Sequence, residues 1–155
     1  VKDNVTGLIW EVKTDDGGLH DKDDSYNWYN TDPTTNGGAD GYANYNGDIC
    51  YGYDSSDSSA FCNTQAYVNR VNKAGWCGAS DWRLPTIKEL KNLVHHGRID
   101  PAIDINYFPN TMSSQYWSGS PDVGSGAWLV YFNGGYSYAY FCLSNYAVRL
   151  VRGGQ

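Results

Sequence analysis

The chain has 155 residues, with 17 acidic against 11 basic side chains and a formal net charge of −6. That length suits one compact domain, and an acidic domain gains nothing from the counterion release that drives nucleic-acid binding. No apolar run approaches the roughly 20 residues of a membrane-spanning helix, and no signal peptide opens the chain, so a mature or excised domain is expected.

Only 18% of residues are charged, whereas 15% are aromatic, with 14 Tyr, 6 Trp and 18 Gly. This profile fits a loop-rich fold whose surface carries neutral polar and aromatic groups. Four cysteines, none in a CxxC pair, exclude zinc-ribbon spacing and point to oxidised pairs in an exported protein.

"TGLIWEVK" (6–13) has strand character. Residues 14–60 are dense in Gly, Asp and Asn, which signals turns, and they are read as an acidic loop insertion. A loop of that length inside a compact domain is usually functional or stapled. A helix is predicted over 63–75, with Asn63 as N-cap, Tyr67, Val71 and Ala74 at helical spacing, and Gly75 at the end.

In "SDWRLPTIKELKNLV" (80–94), Thr86 and Glu89 form a capping box after Pro85. Ile87, Leu90, Leu93 and Val94 give the second helix one apolar face, and Gly97 closes it. From Gln115 onward short strands are predicted in "YWSGS", "AWLVYFNGG", "YSYAYFCLS" and "NYAVRLVRGG". Asn133-Gly134 is expected to supply the positive φ values of a tight hairpin. No repeat and no second domain interrupts the span 1–155.

Cys62 and Cys77 bracket the first helix, which at 1.5 Å per residue is roughly 18 Å long. Bridged Cα atoms lie within about 7 Å, so that pairing is disfavoured. Of the three possible connectivities, the preferred one joins Cys50 to Cys62 and Cys77 to Cys142.

Three segments together carry a resemblance: "TGLIWEVK", "CNTQAYVNRVNKAGWCGASDWRLPTIKEL" and "YWSGS…AWLVYF…YAVRLVRGGQ". In this order they resemble the C-terminal domain family of the Legionella-type collagen-like adhesins. More distantly, "WRLPTIKEL" with "VRLVR" is similar to the C-type-lectin-like superfamily, which includes formylglycine-generating-type domains. The resemblance implies an α+β, C-type-lectin-like fold. Its first strand pairs with its last, and two helices flank small twisted antiparallel sheets. It also implies a bacterial cell-surface or extracellular adhesin, with a homotrimer as the assembly of stalk-bearing relatives. In that frame Trp82 and Leu84 plug the core, Arg83 bridges to a carboxylate or carbonyls, and the central segment is scaffold.

Candidate chemistry is sparse. His95 and His96 are adjacent, and neighbours on a helix point about 100° apart, unlike a chelating i, i+4 pair. No reactive cysteine pair stands out, so no enzyme activity is expected. The loop "DDGGLHDKDDSYNW" holds Asp15, Asp16, Asp21, Asp23 and Asp24, and hard oxygen ligands from one loop suit calcium, with Asp21, Asp23 and Asp24 as ligands. The last 45 residues alternate aromatic with small polar positions. Residues two apart share a strand face, so Tyr136, Tyr138 and Tyr140 align, joined by Tyr131, Asn133, Trp117 and Ser118. Such a rigid amphipathic surface suits sugar rings or a protein receptor. The expected function is a non-catalytic extracellular adhesin module that recognises glycans or a surface receptor. The alternative is a protein–protein assembly, trimer-cap or pilus-tip domain. Sulfated glycans would need Arg70, Lys73, Lys88 and Lys91 to gather in one basic patch.

Overall fold

A computed structural model describes residues 1–153. The fold is α+β, with two helices and seven short strands in two sheets. Strand β1 (Ile9–Trp10) pairs antiparallel with β7 (Val151–Arg152), so the first and last strands close the molecule. The second sheet has the order β2-β6-β3-β4-β5. It comprises β2 (Tyr26–Asn27), β3 (Gln115–Pro121), β4 (Gly126–Tyr131), β5 (Tyr136–Phe141) and β6 (Asn145–Val148). All its pairings are antiparallel except β3 with β6. The predicted strand "NYAVRLVRGG" divides into β6 and β7, and its Gly154 lies outside the described residues.

Strand alternation builds two cores. Trp117, Leu129 and Val148 face one way and pack with Trp28 and with Tyr67 and Val71 of α1 (Thr64–Ala74). Their neighbours Tyr116, Val130 and Ala147 face the other way and pack with Trp10, Ile103 and Leu90 of α2 (Ile87–Lys91). The helices therefore flank the sheet on opposite faces. Each fully buried large apolar side chain contributes roughly 1.5–3 kcal/mol, so both layers are needed.

Helix α1 begins as its sequence predicts: the Asn63 side chain accepts from Ala66 N–H, and Gly75 ends it at φ 63°. Helix α2 starts at the complete Thr86/Glu89 capping box but spans only five residues, ending well before Gly97. Beyond the C-cap Asn92 the chain leaves the helix: Leu93 and Val94 pack on the second core from a bend, and His95 N–H bonds to the Ala102 carbonyl instead. His95 and His96 accordingly lie beyond the helix.

The central segment acts as a brace. Arg83 exchanges two main-chain hydrogen bonds of 2.9 Å with Val151, extending the β1–β7 pair by one bridge. Its guanidinium grips Glu89 with two 2.8 Å bonds, and each partner holds the other in its charged form. The Gly119 N–H donates to the Pro85 carbonyl at 2.7 Å where β3 bulges. Trp82 is buried and Leu84 packs on the first core.

The polar segment 14–60 is built into the fold. Tyr26 and Asn27 form β2, and Tyr26 and Trp28 are core residues. Gly41 (φ 83°) passes so close to the Trp28 carbonyl that a Cβ would sit 2.2 Å from its oxygen. Cys50–Cys62 is a disulfide that fastens this segment to the start of α1. The expected Cys77–Cys142 bond is absent. Cys77 is an exposed free thiol in the turn after α1, while Cys142 is a buried free thiol just past β5. Cys77 faces solvent although its neighbours Trp76 and Ala79 pack on the first core, whereas Cys142 is buried inside that core, so the two sulfurs are not joined. Burial pushes the Cys142 thiol up to about 11.

The β4–β5 hairpin also departs from expectation. Gly135, not Asn133 or Gly134, carries the positive φ, at 79°. The turn is a four-residue one in which Phe132 is buried and Gly135 N–H closes on the Tyr131 carbonyl at 2.9 Å. Residues 100–102 hold it from outside, through Asp100 N–H to Asn133 O and Ala102 N–H to Phe132 O.

Candidate functional site

The residues expected to form one recognition face are split by burial. Trp117 is fully buried, its indole N–H donating to the Tyr26 carbonyl at 2.9 Å. Ser118 is also buried, with its hydroxyl on the Trp128 carbonyl at 2.7 Å and its own carbonyl accepting from the Trp28 indole. Both are interior residues, because β3 runs through the middle of the sheet, between β6 and β4. They leave the candidate site.

The other five stay at the surface or its margin. Tyr136 is 67% exposed and Tyr140 45%, while Tyr138 and Tyr131 are half-buried and the Asn133 side chain is exposed. Tyr136, Tyr138 and Tyr140 share one face of β5, opposite Tyr131, Leu129 and Ala127 of β4. Of these three rings Tyr138 packs against the first core, as do Tyr131 and Tyr146, whereas Tyr136 and Tyr140 stay exposed. Tyr138 accepts from the Gln115 amide at 3.2 Å, which fixes its ring. Tyr140 touches Tyr138 and Tyr146 at ring separations of 6.3 and 6.0 Å. Tyr138, Tyr140 and Tyr146 thus form a connected row of rings, with Tyr136 exposed on the same face of β5.

Phe141 points to the opposite face yet is 60% exposed, 5.7 Å from the Tyr140 ring. With Ala139 and the 122–126 turn it lines an open cleft of about 350 Å³. Parity along β5 separates Phe141 from the tyrosines, so the sequence pattern missed it. Tyr146 arrives from β6, a neighbour that only the sheet order reveals.

The acidic loop is also rearranged relative to expectation. Asp15, Asp21 and Asp23 bring carboxylate oxygens within 4.8 Å of one another. Asp24 is not among them: its carboxylate accepts from Tyr51 N–H and the Tyr26 hydroxyl, and partial burial raises its affinity for a proton. Asp21 is buried and accepts three main-chain N–H groups, from Asp23, Gly17 and Asp16. The bond from Asp23 leads these in holding its carboxyl below the ordinary range. The Lys22 ammonium spans Asp15 and Asp23 at 3.1 and 3.0 Å, which supplies the cluster's countercharge internally.

A buried ionic network that sequence reading did not single out lies where the termini meet. Glu11 is fully buried and bonds to Lys13, His20, the Tyr67 hydroxyl and Leu150 N–H. Burial alone would raise its pKa, but the Lys13 charge and these donors outweigh it and hold the carboxyl at about 2. His20 stacks on Trp76 at 3.9 Å. Arg149, also buried, donates to the Glu11 carbonyl at 2.6 Å and lies over the Phe108 ring. The only trace of this network in the sequence is a charge placed inside each of two apolar runs, "LIWEVK" and "AVRLV".

The family model described as the Lcl C-terminal domain matches residues 1–152. The chain belongs to this family. As an Lcl C-terminal domain it is adhesin-associated and fits a surface or exported protein, in keeping with its disulfide. No curated protein and no solved structure matches the chain significantly. Among the described residues of this Lcl domain, no helix is long and apolar enough to cross a membrane.

Proposed function

We propose that this Lcl C-terminal domain is a non-catalytic ligand-binding module of a bacterial surface adhesin, recognising a neutral glycan or a surface receptor through the rings of β5. The observation that carries the reading is the exposure of Tyr136, Tyr140 and Phe141 on a six-residue strand with no Lys, Arg, Asp or Glu. Rigid rings with hydroxyl tips offer contact area at low entropy cost and hydrogen bonds without charge. A sulfated polyanion is a poor fit. Arg70 and Lys73 sit on α1 and Lys88 and Lys91 on α2, on opposite faces of the sheet, so no single basic patch forms. Arg70 is further engaged with the Tyr51 carbonyl.

Calcium belongs to this reading as a ligand of Asp15, Asp21 and Asp23, entering only where the Lys22 ammonium gives way. A glycan array probed with the wild-type domain and with Tyr140→Ala tests the proposal. Saturable binding to an uncharged sugar that the substitution removes supports it. Binding that survives Tyr140→Ala and Tyr136→Ala places recognition elsewhere. A second reading, assembly, is favoured by one observation: β5 is an edge strand.

A further inference from the structure

Edge strands offer a row of main-chain donors and acceptors to any other strand, and proteins usually blunt them with charges, prolines, bulges or a covering loop. Strand β5 has none of these in its sequence, "YSYAYF". It pairs with β4 through six consecutive residues without a register shift, from Gly126↔Phe141 to Tyr131↔Tyr136. Among the described residues, no other strand lies beside it, and the one further main-chain bond to it is Ser144 N–H to the Phe141 carbonyl, at its very end. A long, regular, uncharged edge is a template for strand addition.

We propose that β5 pairs antiparallel with β5 of a second copy of this chain, joining two five-stranded sheets into one across a two-fold axis. The register follows from face parity. In a continuous sheet, directly opposed residues lie on the same face, so a two-fold pairing opposes residues whose numbers sum to an even value. Centring the axis on Tyr138 opposes Tyr138 to its own copy and Tyr136 to Tyr140 of the partner subunit. One face then carries a ladder of six tyrosines, and the other opposes Ser137 to Ala139. Aromatic cross-strand pairs are among those that stabilise sheets, and the small pair on the other face raises no steric barrier.

Self-pairing also avoids placing like charges face to face, because the strand has none. The domain's net charge of −6 opposes approach only at longer range, where salt screens it. Association therefore strengthens with ionic strength, the reverse of what a charge-complementary interface shows.

Sedimentation equilibrium over a concentration series tests this on the intact chain without any ligand, so it is independent of the glycan reading. The expected mass is twice the 17.2 kDa of one chain. Tyr136→Lys with Tyr140→Lys opposes lysine to lysine and weakens the dimer at least tenfold. Tyr136→Glu with Tyr140→Glu does the same. An equimolar mixture of the two variants recovers the dimer, which a misfolded variant cannot do. Amide exchange in 136–141 of the wild type slows as concentration rises. A wild-type monomer at every concentration overturns the proposal. So does a dimer or trimer indifferent to both variants, a mixture that stays monomeric, or exchange in β5 that ignores concentration.

Discussion

The Glu11 carboxylate accepts a 2.7 Å hydrogen bond from Leu150 N–H, tying together two residues 139 positions apart. The same carboxylate neutralises Lys13, itself buried, so one ionised side chain reinforces the closure that β1 and β7 make.

Glu11 has a folded pKa of about 2 against an ordinary 4.5, a depressed value. Its contribution is therefore present in full above pH 4.5 and is lost as pH falls toward 2, roughly 3 kcal/mol over that window. Urea midpoints measured from pH 6 to pH 2 should fall accordingly. In Glu11→Gln that acid dependence should flatten. The substitution itself should cost about 3–5 kcal/mol at pH 7, because Lys13 is left without its partner. A Glu11→Gln protein as stable as wild type at pH 7 would show that the network is dispensable.

The thiol chemistry follows from where the four sulfurs lie. Native protein should titrate one thiol with an aromatic disulfide reagent, Cys77, and a second, Cys142, only after unfolding. Replacing Cys50 and Cys62 together with alanine should lower stability by about 3 kcal/mol, the entropy of a loop of this size. Finding no free thiol in denaturant would restore the Cys77–Cys142 bond.

Two aromatic substitutions separate core from surface. Trp117→Ala should destabilise by about 3–5 kcal/mol, with loss of near-ultraviolet ellipticity. Tyr140→Ala should stay within about 1 kcal/mol of wild type in the same melts while losing ligand. Comparable losses of stability in both would mean that the β5 rings serve packing.

Lys22 competes with any cation for Asp15 and Asp23. Calorimetric titration of calcium should therefore give tighter binding, by tenfold or more, in Lys22→Gln than in wild type. Equal heats in the two proteins, or none in either, would remove calcium from the acidic loop.

Local features of the fold were legible because they rest on bonds between residues close in sequence. Asn63 caps α1 within three residues, and Thr86 and Glu89 cap α2 reciprocally, so both starts could be read directly. The end of α2 could not, because Leu93 and Val94 leave the helix to reach a core assembled from distant segments. The hairpin at 132–135 was legible as a turn. Its conformation was set by residues 100–102, which hold Phe132 and Asn133 from outside.

Of the candidate site, strand alternation fixed the alignment of Tyr136, Tyr138 and Tyr140, since side-chain parity is a property of any strand. Which strands are central and which stands at the edge depends on non-local pairing: β3 lies between β6 and β4, while β5 ends the sheet. Trp117 and Tyr140 look alike in sequence, and only that order buries one and exposes the other. The disulfide between Cys50 and Cys62 spans twelve residues and could be inferred from chain reach, whereas Cys77 and Cys142 are kept apart by the whole path of the fold. Composition and short-range bonding thus determined the class of domain and the start of each helix. The placement of buried charge at Glu11 and Arg149, and the free edge at β5, came from tertiary packing, which alone decides which surfaces water still reaches.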